Sequence, residues 1–141
     1  MIFVDIWAWI ALASRRDQHH AAASFYRRAR AIRRFVTSTF VLDETITELY
    51  RTIGSARAET FVSAIFASLA TGSYQLIDVT IERLNAAWDL RRRYADKPDI
   101  SFTDLTSAAI MQELGISEVF TGDQHFAQLN LGFTLLPGAN P

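Results

Sequence analysis

Five short apolar runs, Ile2 to Asp5, Phe35 to Thr37, Tyr74 to Ile77, Glu118 to Thr121 and Phe133 to Leu136, alternate along this chain with stretches of helical periodicity. Alternation of that kind builds strand–helix–strand units, because parallel strands need long crossovers. It predicts an α/β fold in which helices cover a parallel sheet. No internal repeat, low-complexity tract or Pro/Gly-rich linker divides the chain, whose three prolines are Pro98, Pro137 and Pro141. Half of the 141 residues are hydrophobic, enough for one real core, so the chain reads as a single domain with a single site.

Between the strands, Ala22, Phe25, Ala29 and Ile32 share one helical face, with Arg27, Arg30 and Arg34 off it, which predicts an amphipathic helix with a basic outer surface. Leu42, Ile46, Leu49 and Ile53 form a second stripe. Phe61, Val62, Ile65, Phe66 and Leu69 form a broader third one, expected either to be deeply buried or to meet a partner. Ile81, Leu84 and Trp88 begin a further stripe, and Ser101 to Gly115 reads as a last major helix stopped by a glycine.

Composition closes off several chemistries. The absence of cysteine removes disulfides, thiolate metal sites and cysteine nucleophiles together, so any metal must be held by oxygen or histidine. A net charge of -1 leaves no general electrostatic attraction to nucleic acid, and contact with RNA would have to be local. Positive charge is nonetheless concentrated, since seven of the thirteen arginines fall between Arg15 and Arg34. The stretch MIFV lacks a basic leader and meets Asp5 at once, and the uncharged run from Thr60 to Ile77 contains too many polar residues to span a bilayer. A cytoplasmic location without membrane contact is expected.

The chemistry lies in four acids. Ligands of open parallel sheets bind beyond the carboxyl ends of the strands, and both Asp5, closing IFVD, and Asp123, following VFTG, fall there. A carboxylate closing a buried strand is costly unless it is solvated, paired or metal-bound, although either aspartate could simply cap the next helix. Asp104 and Glu44 open helices that can face the same edge. Ser101 and Asp104 also have the spacing of a capping box, and Asp43 and Glu48 compete with Glu44 for its position. Four carboxylates at one edge repel each other without a cation, and hard divalent ions such as Mg²⁺ or Mn²⁺ take oxygen ligands.

The order of these acids, Asp5 in a first strand, Glu44 in TSTFVLDE, Asp104 in SFTDLTSAAIMQELGI and Asp123 in VFTGDQHF, resembles the PIN-domain nucleases, and among them the VapC-type toxins. The resemblance runs from Asp5 to Phe126. It implies a three-layer α/β/α sandwich over residues 1–141 with a five-stranded parallel sheet of order 3-2-1-4-5. It also implies Mg²⁺- or Mn²⁺-dependent cleavage of RNA, a homodimer, and inhibition by a cognate antitoxin. Asp5, Glu44, Asp104 and Asp123 match the family's acidic quartet, with Asp5, Asp104 and Asp123 expected to hold metal and Thr121 to support them. One departure stands out, because Ile6 and Trp7 occupy the place where family members often carry a small hydroxyl residue.

Other patterns are poorer. A haloacid-dehalogenase-like phosphatase needs a second Asp where Trp7 stands, a receiver domain needs a lysine in another setting than Lys97, and no Gly-rich phosphate loop is present. The adjacent His19 and His20 cannot share a helical face, and His125 is expected to pack, to bond locally or to touch substrate. Trp7, Trp9 and Trp88 are expected to be core residues and are given no functional role. Arg27, Arg30 and Arg34 are the candidate phosphate contacts, since guanidinium groups suit phosphate. The reading from a different class is a non-catalytic interaction protein whose acids only cap helices.

Overall fold

The computed structural model describes residues 1–138. Strands β1 (Ile2–Val4), β2 (Phe35–Ser38), β3 (Tyr74–Ile77), β4 (Glu118–Phe120) and β5 (Thr134–Leu136) form one sheet of order β3-β2-β1-β4-β5 in which every pairing is parallel. Both order and direction agree with the family expectation. Seven helices flank it: α1 (Ile6–Ala13), α2 (His20–Ala29), α3 (Thr39–Thr52), α4 (Ser55–Ala70), α5 (Ile81–Arg93), α6 (Phe102–Leu114) and α7 (His125–Gln128). None is long and apolar enough to cross a membrane.

Placement of the site follows from connectivity. From central β1 the chain passes to β2 and β3 on one side, then crosses back to β4 and β5 on the other. The carboxyl ends of β1 and β4 are therefore the switch point where loops diverge and leave a crevice. β1 is buried throughout and stops at Val4, one residue before the apolar run ends, because Asp5 already occupies the N-cap position of α1.

Helix α6 carries the crossover chain back along β4. Ser101 starts it, its Oγ accepting the Asp104 N–H at 3.0 Å, and Gly115 ends it in the left-handed conformation at φ 65°. Every residue from Thr103 to Met111 is buried, as expected of a helix enclosed on all sides rather than lying on a surface. Ile110 and Met111 join the main core with the strands, while Leu105, Ala108 and Ala109 meet Ala87 and Leu90 of α5 in a second cluster.

Three helical faces depart from the sequence pattern. In α2 the core-facing residues are Ala23 and Tyr26, whereas Ala22, Ala29, Phe25 and Ile32 are exposed, the last lying beyond the helix end. Ala21, Ala22 and Ala23 are apolar in succession, so they leave the phase of the stripe undetermined. Tyr26 sets it by stacking on Phe120 at 4.8 Å between ring centroids. In α4 Ala58 and Ile65 are buried and Phe61 and Leu69 pack partly buried against the core, while Phe66 is exposed, so this helix is a surface element and not the deeply buried one that the sequence allowed. In α5 Ala87 and Leu90 turn inward and leave Ile81 and Trp88 exposed, because α6 approaches from that side.

This assignment has a direct test. Tyr26→Ala should cost about 3–5 kcal/mol in chemical denaturation, whereas Phe25→Ser and Ile32→Ser should each change monomer stability by no more than about 0.5 kcal/mol. The opposite ranking would restore the stripe read from the sequence.

Candidate metal centre

Asp5 sits at the N-cap of α1, yet its side chain makes no capping bond there. It is fully buried, and Oδ2 instead accepts the Thr121 hydroxyl at 2.8 Å across the switch point. The same Thr121 Oγ1 accepts the Asp123 N–H at 3.0 Å. One hydroxyl thus ties the end of β1 to the loop after β4, which supports the auxiliary role expected of Thr121. Oδ1 of Asp5 is buried with no hydrogen-bond partner. Such an orphaned carboxylate oxygen is costly in a low-dielectric interior and calls for a cation.

Asp104, in the first turn of α6, does not serve as the cap of that helix, since the Ser101 hydroxyl already does so. Its carboxylate points toward the β4 loop, with Oδ2 3.3 Å from His125 Nδ1. Asp123 combines both readings of a helix-opening acid. Its Oδ1 accepts the His125 N–H at 2.9 Å, a local turn bond, and the same oxygen lies 3.3 Å from His125 Nδ1. Asp104, Asp123 and His125 each offer a ligand atom such that all three lie within 4.8 Å of one another.

Glu44 lies beside this group rather than within it. It is half-buried, and its Oε1 accepts the Thr103 hydroxyl at 2.9 Å, next to Asp104 in the chain. Its competitors are placed elsewhere, Asp43 being exposed and Glu48 paired with Arg51. Thr103, Trp7 and His125 complete the surroundings of the acids. Thr103 leaves no linear signature. The indole of Trp7 covers the metal loop so closely that a Cβ on Gly122 would lie 2.5 Å from it. Trp7 is only partly buried, while Trp9 is core. His125, expected from the sequence to pack, to bond locally or to touch substrate, bonds locally to Asp123 and Asp104.

The basic residues are not brought to the acids. Arg33 and Arg34 directly precede β2, and Arg33 pairs with Glu118 at the start of β4. Arg27 lies 4.5 Å over the Phe35 ring and hydrogen-bonds the Tyr74 hydroxyl, and Arg30 lies over Tyr26 at 5.3 Å. All belong to the amino edge of the sheet, a strand's length from Asp5. The physical reason is that α2 runs back along the sheet, so its last turn ends where β2 begins.

Crowded carboxylates leave an electrostatic mark. Burial, then the Asp104 charge, push Asp5 up to about 7, with the Thr121 hydroxyl and Ile6 backbone pulling down and Asp123 adding a smaller push up. Burial and Asp123 raise Asp104 as well, partly offset by His125 and Ser101. An acid whose pKa is raised by folding stabilises the fold while protonated, and that contribution is lost as pH rises through the folded value. Metal-free protein should therefore lose stability relative to Asp5→Asn between pH 3.8 and about 7. Parallel melting curves of the two proteins across that range would refute the burial argument.

Comparison with known proteins fits this geometry. A family model for the PIN domain matches residues 2–131. The chain is 36% identical over 129 residues to the 23S rRNA-specific endonuclease VapC20 of Mycobacterium tuberculosis, in both strain CDC 1551 / Oshkosh and strain H37Rv, spanning 90% of this chain and 92% of the relative. The crystal structure of Mycobacterium tuberculosis VapC20, a Sarcin-Ricin loop cleaving toxin, superposes with a TM-score of 0.83 at 31% identity, covering 95% of this chain and 97% of that one. DNA-bound VapBC from Salmonella typhimurium shares the fold, with a TM-score of 0.70 at 15% identity over 96% of this chain and 97% of that one. With its sheet order, its acidic switch point and these relatives, the chain belongs to the PIN-domain family and groups with its VapC-type members.

Proposed function

We propose that this chain is a metal-dependent endoribonuclease, the toxin of a toxin–antitoxin pair, which hydrolyses RNA phosphodiester bonds at the crevice between β1 and β4. The observation that carries this reading is the buried Asp5 oxygen without a partner, in a carboxyl that feels the charges of Asp104 and Asp123, in a chain 36% identical to an rRNA endonuclease. Mg²⁺ or Mn²⁺ held there supplies positive charge for a phosphate oxygen and acidifies water. Asp5, Asp104 and Asp123 would hold it. Thr121 keeps Asp5 and the Asp123 loop in register, and the half-buried Glu44, which accepts the Thr103 hydroxyl, would take a proton from water. A ribosomal RNA stem-loop is the first substrate to test, by analogy with the relative. All three candidates lie at the amino edge, and since Arg27 is engaged with Phe35 and Tyr74, the exposed Arg30 and Arg34 are left to meet phosphates of an RNA that extends round the sheet.

The toxin reading also brings protein partners. A groove of about 770 Å³ between the end of α1 and the face of α4 has an apolar floor, including Ile53, Ala56 and Phe61, and an arginine rim of Arg15, Arg16 and Arg57. Its polarity suits an amphipathic antitoxin segment with acidic residues beside its apolar ones. Exposed Ile81 and Trp88 lie seven residues apart on one side of α5 and suit the homodimer.

Two experiments test these roles. In purified protein, Mn²⁺ at about a hundred times its Kd should add about 2.7 kcal/mol of stability. Asp104→Asn should hold or gain stability without metal, lose that increment, and cleave RNA at least about 100-fold more slowly because reacting groups are no longer positioned. Retained cleavage with a lowered metal-free melting temperature would return Asp104 to a capping role. Replacing the exposed Arg16 and Arg57 together by Glu should abolish co-purification with the product of a short neighbouring reading frame while leaving RNA cleavage intact. Unchanged co-purification would move the antitoxin to another face.

A further inference from the structure

Among the described residues, His125 is the one nitrogen donor within the acidic centre. Its ring is held there by the backbone, since its N–H donates to Asp123 Oδ1 at 2.9 Å. Nδ1 lies 3.3 Å from Asp104 Oδ2 and 3.3 Å from Asp123 Oδ1. At 3.3 Å the contact with Asp104 is a long hydrogen bond, just beyond the usual N–H···O range of about 2.7–3.2 Å, so the carboxylates hold the imidazole loosely and Nδ1 is available to a cation. Both separations suit shared coordination. Donors about 2.0–2.1 Å from one ion are separated by about 3.0 Å at right angles and by about 3.4 Å in a tetrahedral arrangement. Independently, Asp5 has a buried Oδ1 without a partner, and its carboxyl feels the charges of Asp104 and Asp123, so positive charge is wanted beside the same group.

We propose that His125 Nδ1 is a direct ligand of the cation held by Asp104 and Asp123, making this a mixed nitrogen–oxygen site that selects Mn²⁺ and similar transition ions over Mg²⁺. The inference rests on the metal reading above and goes beyond the four carboxylates. Its chemical basis is ligand softness. Imidazole suits first-row transition ions, whereas Mg²⁺ favours carboxylate and water oxygens and gives up its hydration reluctantly. With only about 29% of its side chain exposed, His125 has little freedom to leave the carboxylates, so the nitrogen is pre-positioned.

The test uses the full chain, stripped of metal and reloaded with Mn²⁺ alone. Pulsed electron paramagnetic resonance should detect a ¹⁴N coupling from a directly bound imidazole, which ¹⁵N-histidine labelling converts to the ¹⁵N pattern. His125→Asn should lose the coupling, separating it from His19 and His20. Calorimetric titrations of the same proteins should show Mn²⁺ affinity falling at least about tenfold in His125→Asn, with Mg²⁺ affinity falling much less. Mn²⁺ binding without nitrogen coupling in the unmodified chain, or equal losses for both ions in the variant, would overturn His125 as a ligand and leave the carboxylate site standing. Absence of any Mn²⁺ binding would defeat both readings. Because the spectroscopic arm needs no substitution, a variant that fails to fold does not shield the proposal.

Discussion

A carboxylate at the end of the central strand is the constraint around which this molecule is arranged. Asp5 is wholly buried, and removing its charge from water is worthwhile only where other groups replace the lost solvation. The Thr121 hydroxyl satisfies one oxygen; the other has no protein partner. The amino ends of α1 and α6 contribute favourable dipole charge near Asp5 and Asp104, but that contribution is small beside three converging carboxylates. That imbalance is one a bound cation would correct, and packing alone gives no reason for an acid at this place.

Rigidity around the centre comes from unlike sources. α6 is enclosed on every side, so Asp104 has a fixed root. Within that helix Thr106 returns its hydroxyl to the Thr103 carbonyl at 2.7 Å, while Thr103 gives its own to Glu44. The loop carrying Asp123 is held from below by Thr121 and from the side by the Trp7 indole on Gly122. Ligands mounted this way lose little conformational freedom on binding, which is the condition for positioning a reacting phosphate within a fraction of an ångström. Opposite charges are kept at the amino edge, where Arg27 and Arg33 are engaged with Tyr74 and Glu118. The two edges of one small sheet therefore have different electrostatic characters.

Much of this was legible in the linear chain. Apolar runs separated by helical periodicity specify a parallel sheet, because that spacing admits crossover connections and little else, and all five strands occur where the runs do. Asp5 and Asp123 were legible as site residues because a strand's carboxyl end is a chemical location as well as a geometric one. Ser101 and Gly115 marked the limits of α6 through capping chemistry that acts over a few residues. The strands and the limits of α6 were found where those rules put them.

Tertiary structure decided what local periodicity leaves degenerate. Three successive alanines in α2 fit several helical phases, and only the Tyr26 contact with Phe120 chose one, leaving Phe25 and Ile32 outside. Whether α4 and α5 present apolar residues to the core or to solvent depended on which neighbour reached them first. The arginines of α2 belong to the far edge because the helix runs antiparallel to its strands, a fact invisible in their spacing. Distance alone brought Thr103 to Glu44 and His125 to Asp104, pairs separated by 59 and 21 positions in the chain. The sequence determined the sheet, its order through family likeness, and the acids at its switch point, since these follow from short-range pattern and connectivity. The partners that hold each acid and the ring nitrogen beside them were decided by packing, because contacts between distant segments have no signature in either segment by itself.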